Sequence, residues 1–181
     1  MSLTLPLDLH PGHTLTLLLL LNISPESLEA LRARVQSRAL QCALLDPTLI
    51  PSPLCVHSAA SRALLQRARG GRGVTDSLHV DLVHVLHAGK SVSEALRALS
   101  PRPGAGAILL AALGADAGAL HAEAAPEATV GNVAAYYAQG GGVDAAAVQA
   151  MYRVADEELR LGCGGLGALE AAVLGRVGSE A

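Results

Sequence analysis

A proline-bounded loop, LLDPTLIP at residues 44–51, opens the segment that organises the predicted fold. A long helix is predicted next, from Ser52 to Arg69 (SPLCVHSAASRALLQRAR), because its apolar residues recur at helical spacing. The basic glycine turn GGRG at residues 70–73 ends this helix. Two shorter helices are predicted next. One extends from Thr75 to His87 with Thr75 or Asp76 as its cap, and the other from Ser91 to Leu99 with Ser91 as its cap. The remainder of the chain is predicted to pack around these helices.

Two strands and a helix are predicted before this segment. Leu3 to Leu9 alternates apolar and polar residues, and Pro6 places that strand at a sheet edge. Thr14 to Leu21 is almost entirely apolar, as expected for a central strand buried on both faces. A turn between the two strands predicts a hairpin. Ser24 and Pro25 then begin a helix that reaches Ser37.

The last third of the chain predicts two more strands, Ala107–Leu113 and Glu127–Val133, joined by a loop or hairpin over Gly114–Glu127. Three helices are predicted after them: Val143–Tyr152, Asp156–Leu161 and Gly165–Val177. The fold class is therefore α/β (α+β), one domain over residues 1–181. Its mixed sheet is predicted to have about four strands flanked by about six to eight helices.

The composition excludes several classes of protein. Hydrophobic residues make up 51% of the chain, yet Phe and Trp are absent, so the core must consist of aliphatic side chains. The formal net charge of −3 provides no overall attraction to nucleic acid. Cys42, Cys55 and Cys163 have no metal-site or disulfide spacing, which favours a reducing compartment, either cytoplasm or nucleus. Leu15–Leu21 is too short to span a membrane.

No strong catalytic motif is present, and no cofactor is expected. Cys55 and His57 are two positions apart and would project from different helix faces, which argues against a nucleophile–base pair. His79, His84 and His87 allow a metal-dependent hydrolase as an alternative, although three ligands from one short helix converge poorly.

A second alternative is a small-molecule domain. The glycines of Gly162–Gly167 precede the last helix and could receive an anion at its N-terminus. A simple connector is the other interpretation of this segment.

Four arginines cluster at the end of the long predicted helix and in its glycine turn: Arg62, Arg67, Arg69 and Arg72. Cations near a helix C-terminus stabilise the helix dipole. Arginines on a short turn can also bind phosphates, so these residues are candidate RNA contacts. The residues alone leave both roles open.

The chain resembles the PRPK-binding protein (TPRKB) family in the order and spacing of several segments. These are Leu5–Leu9 with the strand that follows it, Leu45–Ile50, Ser58–Ala63, Thr75–Leu86, Ser91–Leu99 and Met151–Val177. The turn at Gly70–Gly73 and the acid Asp81 depart from the family, which often has a lysine-rich turn and a Glu there.

This resemblance implies a non-catalytic subunit of the KEOPS/EKC complex, which makes N6-threonylcarbamoyladenosine in tRNA. Such a subunit docks on the small kinase-like ATPase subunit PRPK and contacts the other KEOPS subunits indirectly. Archaeal members also hold the tRNA 3′ CCA end. We therefore expect a protein that is not an enzyme, is not bound to membranes, and contacts tRNA through the four arginines.

Protein interfaces are anchored by a few desolvated apolar side chains on exposed helices. The candidates for the kinase-docking surface are Leu54, Leu65, Leu169, Val173 and Leu174. A helical apolar stripe is, however, more often core than interface.

Overall fold

Five strands form the sheet in the computed structural model, which describes residues 1–70, 73–89, 91–140, 142–161 and 165–179. The strands are β1 Leu3–Pro6, β2 Thr14–Leu21, β3 Ala43–Leu45, β4 Ala107–Leu113 and β5 Thr129–Gly131. The helices in the described ranges are α1 Pro25–Gln36, α2 Pro53–Gly70, α3 Leu78–His87, α4 Val92–Leu99, α5 Ala117–Ala124, α6 Val133–Ala138, α7 Ala145–Tyr152, α8 Asp156–Leu161 and α9 Gly165–Gly178. A short 3-10 helix covers Pro47–Leu49. The α+β class is confirmed.

The strand β2 lies at the centre of the sheet. Residues 15–21 of β2 pair with the whole of β4 on one side. The strands β1 and β5 share the other side of β2, and β3 pairs with the far side of β4. Every described pairing is antiparallel, whereas the sequence predicted a mixed sheet. The reason is topological: β2 and β3 run in the same direction, but β4 lies between them.

Helices cover both faces of the sheet, as predicted for a central strand that is apolar on both sides. Leu17 and Leu19 of β2 join the larger core, whose helical residues come from α2, α3, α4, α6, α7 and α9. Leu18 and Leu20 join the smaller core beneath α1 and α5. Each fully buried leucine contributes about 2 kcal/mol through the hydrophobic effect, so this strand anchors both layers.

The helix starts follow the predicted caps with one change. The hydroxyl oxygens of Ser24 and Ser91 accept hydrogen bonds from the backbone of α1 and α4. The helix α3 is capped by Ser77, and not by Thr75 or Asp76 as predicted. Thr75 is not available because its backbone N–H and hydroxyl both bind the carboxylate of Asp81.

Two predicted loops contain regular structure. The helix α5 lies within the predicted loop or hairpin 114–127, where Asp116 caps it and Leu120 enters the smaller core. The strand β3 overlaps the first residues of the proline-bounded loop, and most of α6 covers residues for which the sequence predicted no element. Periodicity does not reveal β3 or α5, because β3 has three residues and α5 is alanine-rich with Leu120 as its one large apolar residue. Tertiary packing supports these elements. None of the described helices has both the length and the apolar character needed to cross a membrane.

Candidate functional site

The three described arginines of the predicted cluster, Arg62, Arg67 and Arg69, have different environments. The guanidinium of Arg67 donates from Nε to Oδ2 of Asp81 over 2.7 Å and from Nη2 to the carbonyl of Thr75 over 2.8 Å. Arg67 therefore belongs to an internal ion pair and is not a free phosphate ligand. Arg69 is exposed in the last turn of α2, and Arg72 lies outside the described residues.

Arg62 has a different environment from Arg67. Its Nη1 donates to the carbonyl of Val177 in α9 over 2.5 Å, which ties α2 to the last helix. Its side chain also lines a large groove on the side of the sheet that carries the larger core. Of the three predicted RNA contacts that the structure describes, Arg62, Arg67 and Arg69, Arg62 is the one that lines this groove.

The groove has a volume of about 1150 Å³ and lies among α2, α3, α4, α7 and α9. Each helix provides part of its lining, for example Gln66, Val85, Ala98, Met151 and Arg176. A groove of this size can hold a small ligand or a segment of a larger partner.

Positive charge is concentrated around this groove. Its described lining contains four arginines, Arg62, Arg102, Arg153 and Arg176, and only one carboxylate, that of Glu94. Arg176 is partly neutralised, because its guanidinium binds both carboxylate oxygens of Glu158 at 2.9 and 3.0 Å. The groove is thus locally basic although the chain carries a formal net charge of −3.

Two histidines of α3, His84 and His87, also line the groove. Neither ring nitrogen of His84, and not Nδ1 of His87, has a hydrogen-bond partner in the described part of the chain. Burial lowers the pKa of His87, and neighbouring His84 lowers it further, while Glu94 opposes them. The groove therefore gains little charge from His87 at neutral pH.

His79 points elsewhere, so the three histidines do not form one site. It is buried, and its Nε2 accepts a hydrogen bond from the backbone N–H of Leu113 over 3.2 Å. Within the described ranges, no group of three or more His, Cys, Asp and Glu side chains is placed to hold a metal ion. His79 is therefore not available as the third ligand of the metal site that the sequence allowed.

The Cys55 and His57 side chains are also held by contacts within the fold. Cys55 is buried, with Ser52 as the neighbour of its thiol, while His57 binds the carbonyl of Pro6. Burial raises the pKa of the Cys55 thiol to about 11, so it is a poor nucleophile. The predicted anion site at Gly162–Gly167 falls largely outside the described residues.

The five predicted partner contacts divide into surface and core. Leu54 is 51% exposed and Leu65 is 37% exposed. They lie on nearly the same face of α2, since eleven positions correspond to about three helical turns. In contrast, Leu169 and Val173 are 2% and 0% exposed, and Leu174 packs partly against the same core. Partner contact by Leu169 or Val173 would require α9 to leave the core.

A comparison with protein families matches residues 22–180 to the family described as "Kinase binding protein CGI-121". The chain belongs to this family. The match confirms the resemblance to the PRPK-binding proteins and includes every helix that lines the groove. No individually curated protein matches the chain.

Sequence reasoning missed three of the basic residues of this CGI-121 family member. Arg102, Arg153 and Arg176 are far apart in the chain and become neighbours of one groove only through the packing of α4, α7 and α9. A weak signal was present, because Arg102 and Arg153 each occupy a short connection just after a helix. Functional side chains are often found on such connections.

Proposed function

We propose that this chain is a non-catalytic subunit of the KEOPS/EKC complex that binds the PRPK-type kinase-like ATPase subunit. In that role it supports N6-threonylcarbamoyladenosine formation in tRNA, in the cytoplasm and nucleus. The observation that carries the proposal is the family match over residues 22–180, since that family is described as kinase binding. Contacts with the other KEOPS subunits are indirect in this proposal.

The surroundings of the reactive side chains support an adaptor more than an enzyme. Asp81 is the most buried of the acids near the candidate sites. Both of its carboxylate oxygens accept hydrogen bonds, one from Arg67 and the other from Thr75. His79 is used by the backbone of β4, and Cys55 is buried. Catalysis requires a nucleophile or base that can reach a substrate, and these groups are committed to the fold.

The proposed docking surface for the kinase-like subunit is the outer face of α2 with Leu54 and Leu65. Large exposed apolar side chains on one face of a helix are suited to fill pockets in a partner. Leu169 and Val173 are left out of this surface because they are buried in the larger core.

The basic groove supports a second activity, binding of the tRNA 3′ CCA end. Single-stranded RNA is held by cations that pair with phosphates and by surfaces that receive bases. The groove offers both, with arginines at its edge and apolar side chains such as Val85 and Met151 in its lining. In this assignment Arg62 is retained from the predicted RNA contacts, and Arg67 is not.

Co-purification with the cognate kinase-like subunit tests the adaptor proposal. The double variant Leu54→Arg/Leu65→Arg should lose the complex and keep the thermal stability of the wild type, because both side chains are on the surface. Leu96→Arg on α4 is the matched control, since Leu96 is 41% exposed and lies on another helix. A wild-type chain that forms no stable complex would overturn the proposal.

The RNA activity has a separate test. Titration of tRNA with and without its CCA end, at two salt concentrations, should show tighter and more salt-dependent binding when the end is present. Equal affinity for the two tRNAs would remove the CCA assignment and leave the adaptor proposal in place.

A further inference from the structure

Arg153 occupies a backbone conformation that favours glycine. It directly follows α7 with φ 53° and ψ 45°, in the left-handed region. The N–H groups of Arg153 and Val154 close the helix end on the carbonyls of Ala150 and Gln149, at 3.3 and 3.0 Å. This is a Schellman arrangement, in which glycine avoids the steric cost that a side chain incurs. The Arg153 side chain takes no part in ending the helix, because both hydrogen bonds come from backbone N–H groups.

The side chain of Arg153 is free to bind something else. It is exposed, lines the groove, and has no hydrogen-bond or ion-pair partner in the part of the chain that the structure describes. Its backbone, in contrast, is held, because Nη2 of Arg176 donates to the carbonyl of Arg153 over 3.2 Å. An unpaired guanidinium on a fixed backbone at a groove edge is suited to capture an anion.

The rest of the groove indicates the class of anion. Arg102 lines the groove without a described partner and adds a second free guanidinium, while Glu94 is the single described carboxylate of the lining. Guanidinium groups bind phosphate oxygens through two parallel hydrogen bonds and also stack on bases. The lining also includes apolar side chains from α3 and α7, such as Val85 and Met151. Cations and apolar side chains in one groove favour a ligand that combines phosphates with flat apolar groups, as single-stranded RNA does.

We propose that Arg153 contacts a phosphate of single-stranded RNA bound in the groove. The inference rests on the RNA activity under the proposed function and names the residue that carries it. An acidic protein segment is the competing occupant, and the experiment below distinguishes the two.

Arg153→Gly is the test, and Arg38→Gly is its matched control. Arg38 is also an exposed arginine in the left-handed region, with φ 62°, and it follows α1 on the opposite side of the sheet. Each variant removes one positive charge. Each also removes the steric cost of a side chain in the left-handed region. Neither should lower the melting temperature, because glycine suits both positions.

The variants should differ in binding of a short fluorescein-labelled single-stranded RNA, measured by fluorescence anisotropy at several salt concentrations. Arg153→Gly should weaken binding about tenfold and reduce the salt slope by about 0.7, the value for one lost phosphate contact. Arg38→Gly should keep the affinity and slope of the wild type.

Equal affinities of the two variants would overturn the assignment of Arg153, as would a wild-type chain that does not bind the RNA. Arg153→Gly could instead keep RNA binding and lose co-purification with the kinase-like subunit. That result would identify an acidic protein segment as the occupant of the groove. The adaptor proposal fails only if the wild-type chain and the kinase-like subunit form no complex, so the two failures are distinct.

Discussion

The carboxylate of Asp81 and the guanidinium of Arg67 form an ion pair between α2 and α3, and the Asp81 side chain is only 1% exposed. The pair joins the end of α2 to the first turn of α3, and Thr75 completes it by donating two hydrogen bonds to Oδ1 at 2.7 and 2.9 Å. A buried carboxylate with this many partners fixes the geometry of the connection between the two helices.

Loss of this carboxylate should destabilise the protein strongly. Asp81→Asn leaves the partly buried Arg67 without its counter-charge, and breaking such a pair costs about 3 kcal/mol. Urea unfolding should therefore show a large decrease in the free energy of unfolding. Glu29→Gln is the control, because it breaks the exposed pair between Glu29 and Arg32 and should cost less than about 1 kcal/mol. Similar losses in both variants would contradict the prediction.

Gly73 should not tolerate a side chain. A Cβ atom at this position would lie 1.8 Å from Oδ2 of Asp81 and 2.7 Å from Nε of Arg67, so Gly73→Ala must displace the ion pair. We expect a loss of about 2 kcal/mol in the free energy of unfolding. Gly175 offers the opposite case: it lies within α9 and no atom is within 4 Å of its Cβ position. Gly175→Ala should stabilise the protein by about 0.5–1 kcal/mol, and the reverse order of the two variants would refute this account.

The stability should depend on pH through His79. Burial, with a smaller contribution from Arg67, lowers the pKa of His79 from 6.5 to about 4. The unfolded chain therefore takes up a proton that the folded chain does not, so the contribution of His79 is complete above pH 6.5 and is lost between pH 6.5 and 4. The loss is about 3 kcal/mol. In His79→Gln the unfolding free energy should fall less steeply across this range, and a slope equal to that of the wild type would rule out His79 as its source.

The buried thiols should be unreactive in the folded protein. Burial raises the pKa of the Cys42 thiol to about 12 and that of the Cys55 thiol to about 11, so few thiolates form at pH 8. A Cys163→Ser variant isolates these two residues, and we expect slow reaction with a disulfide reagent until urea unfolds the chain. Rapid reaction of either thiol under native conditions would show that it is accessible.

The sequence predicted the elements with a clear apolar pattern and missed those without one. The apolar run of β2, the strand β4 and the long helix α2 were confirmed because their apolar residues follow an unambiguous pattern. The strand β3 was missed because it has only three residues, and the helix α5 was missed because it is alanine-rich with one large apolar residue, Leu120. Such elements form regular structure mainly through contacts with the rest of the fold.

The candidate site shows the same division between local and tertiary information. Arg62 could be proposed from the sequence because it lies in a cluster of arginines. Arg67 belongs to the same cluster, yet its guanidinium binds the buried carboxylate of Asp81. The prediction of an apolar stripe on the last helix was sound, yet Val173 of that stripe faces the core. A pattern of side chains does not say which face of a helix is covered.

By itself the sequence determined the class of fold, the central strand, the caps of α1 and α4 and the family, because these depend on local residue order and on spacing along the chain. The tertiary structure alone decided which charges are neutralised within the protein and which surround the groove. Arg67 and Arg153 differ little as residues in a sequence. One meets a carboxylate from α3 and the other meets none in the described structure, and only the packing of distant segments sets that difference.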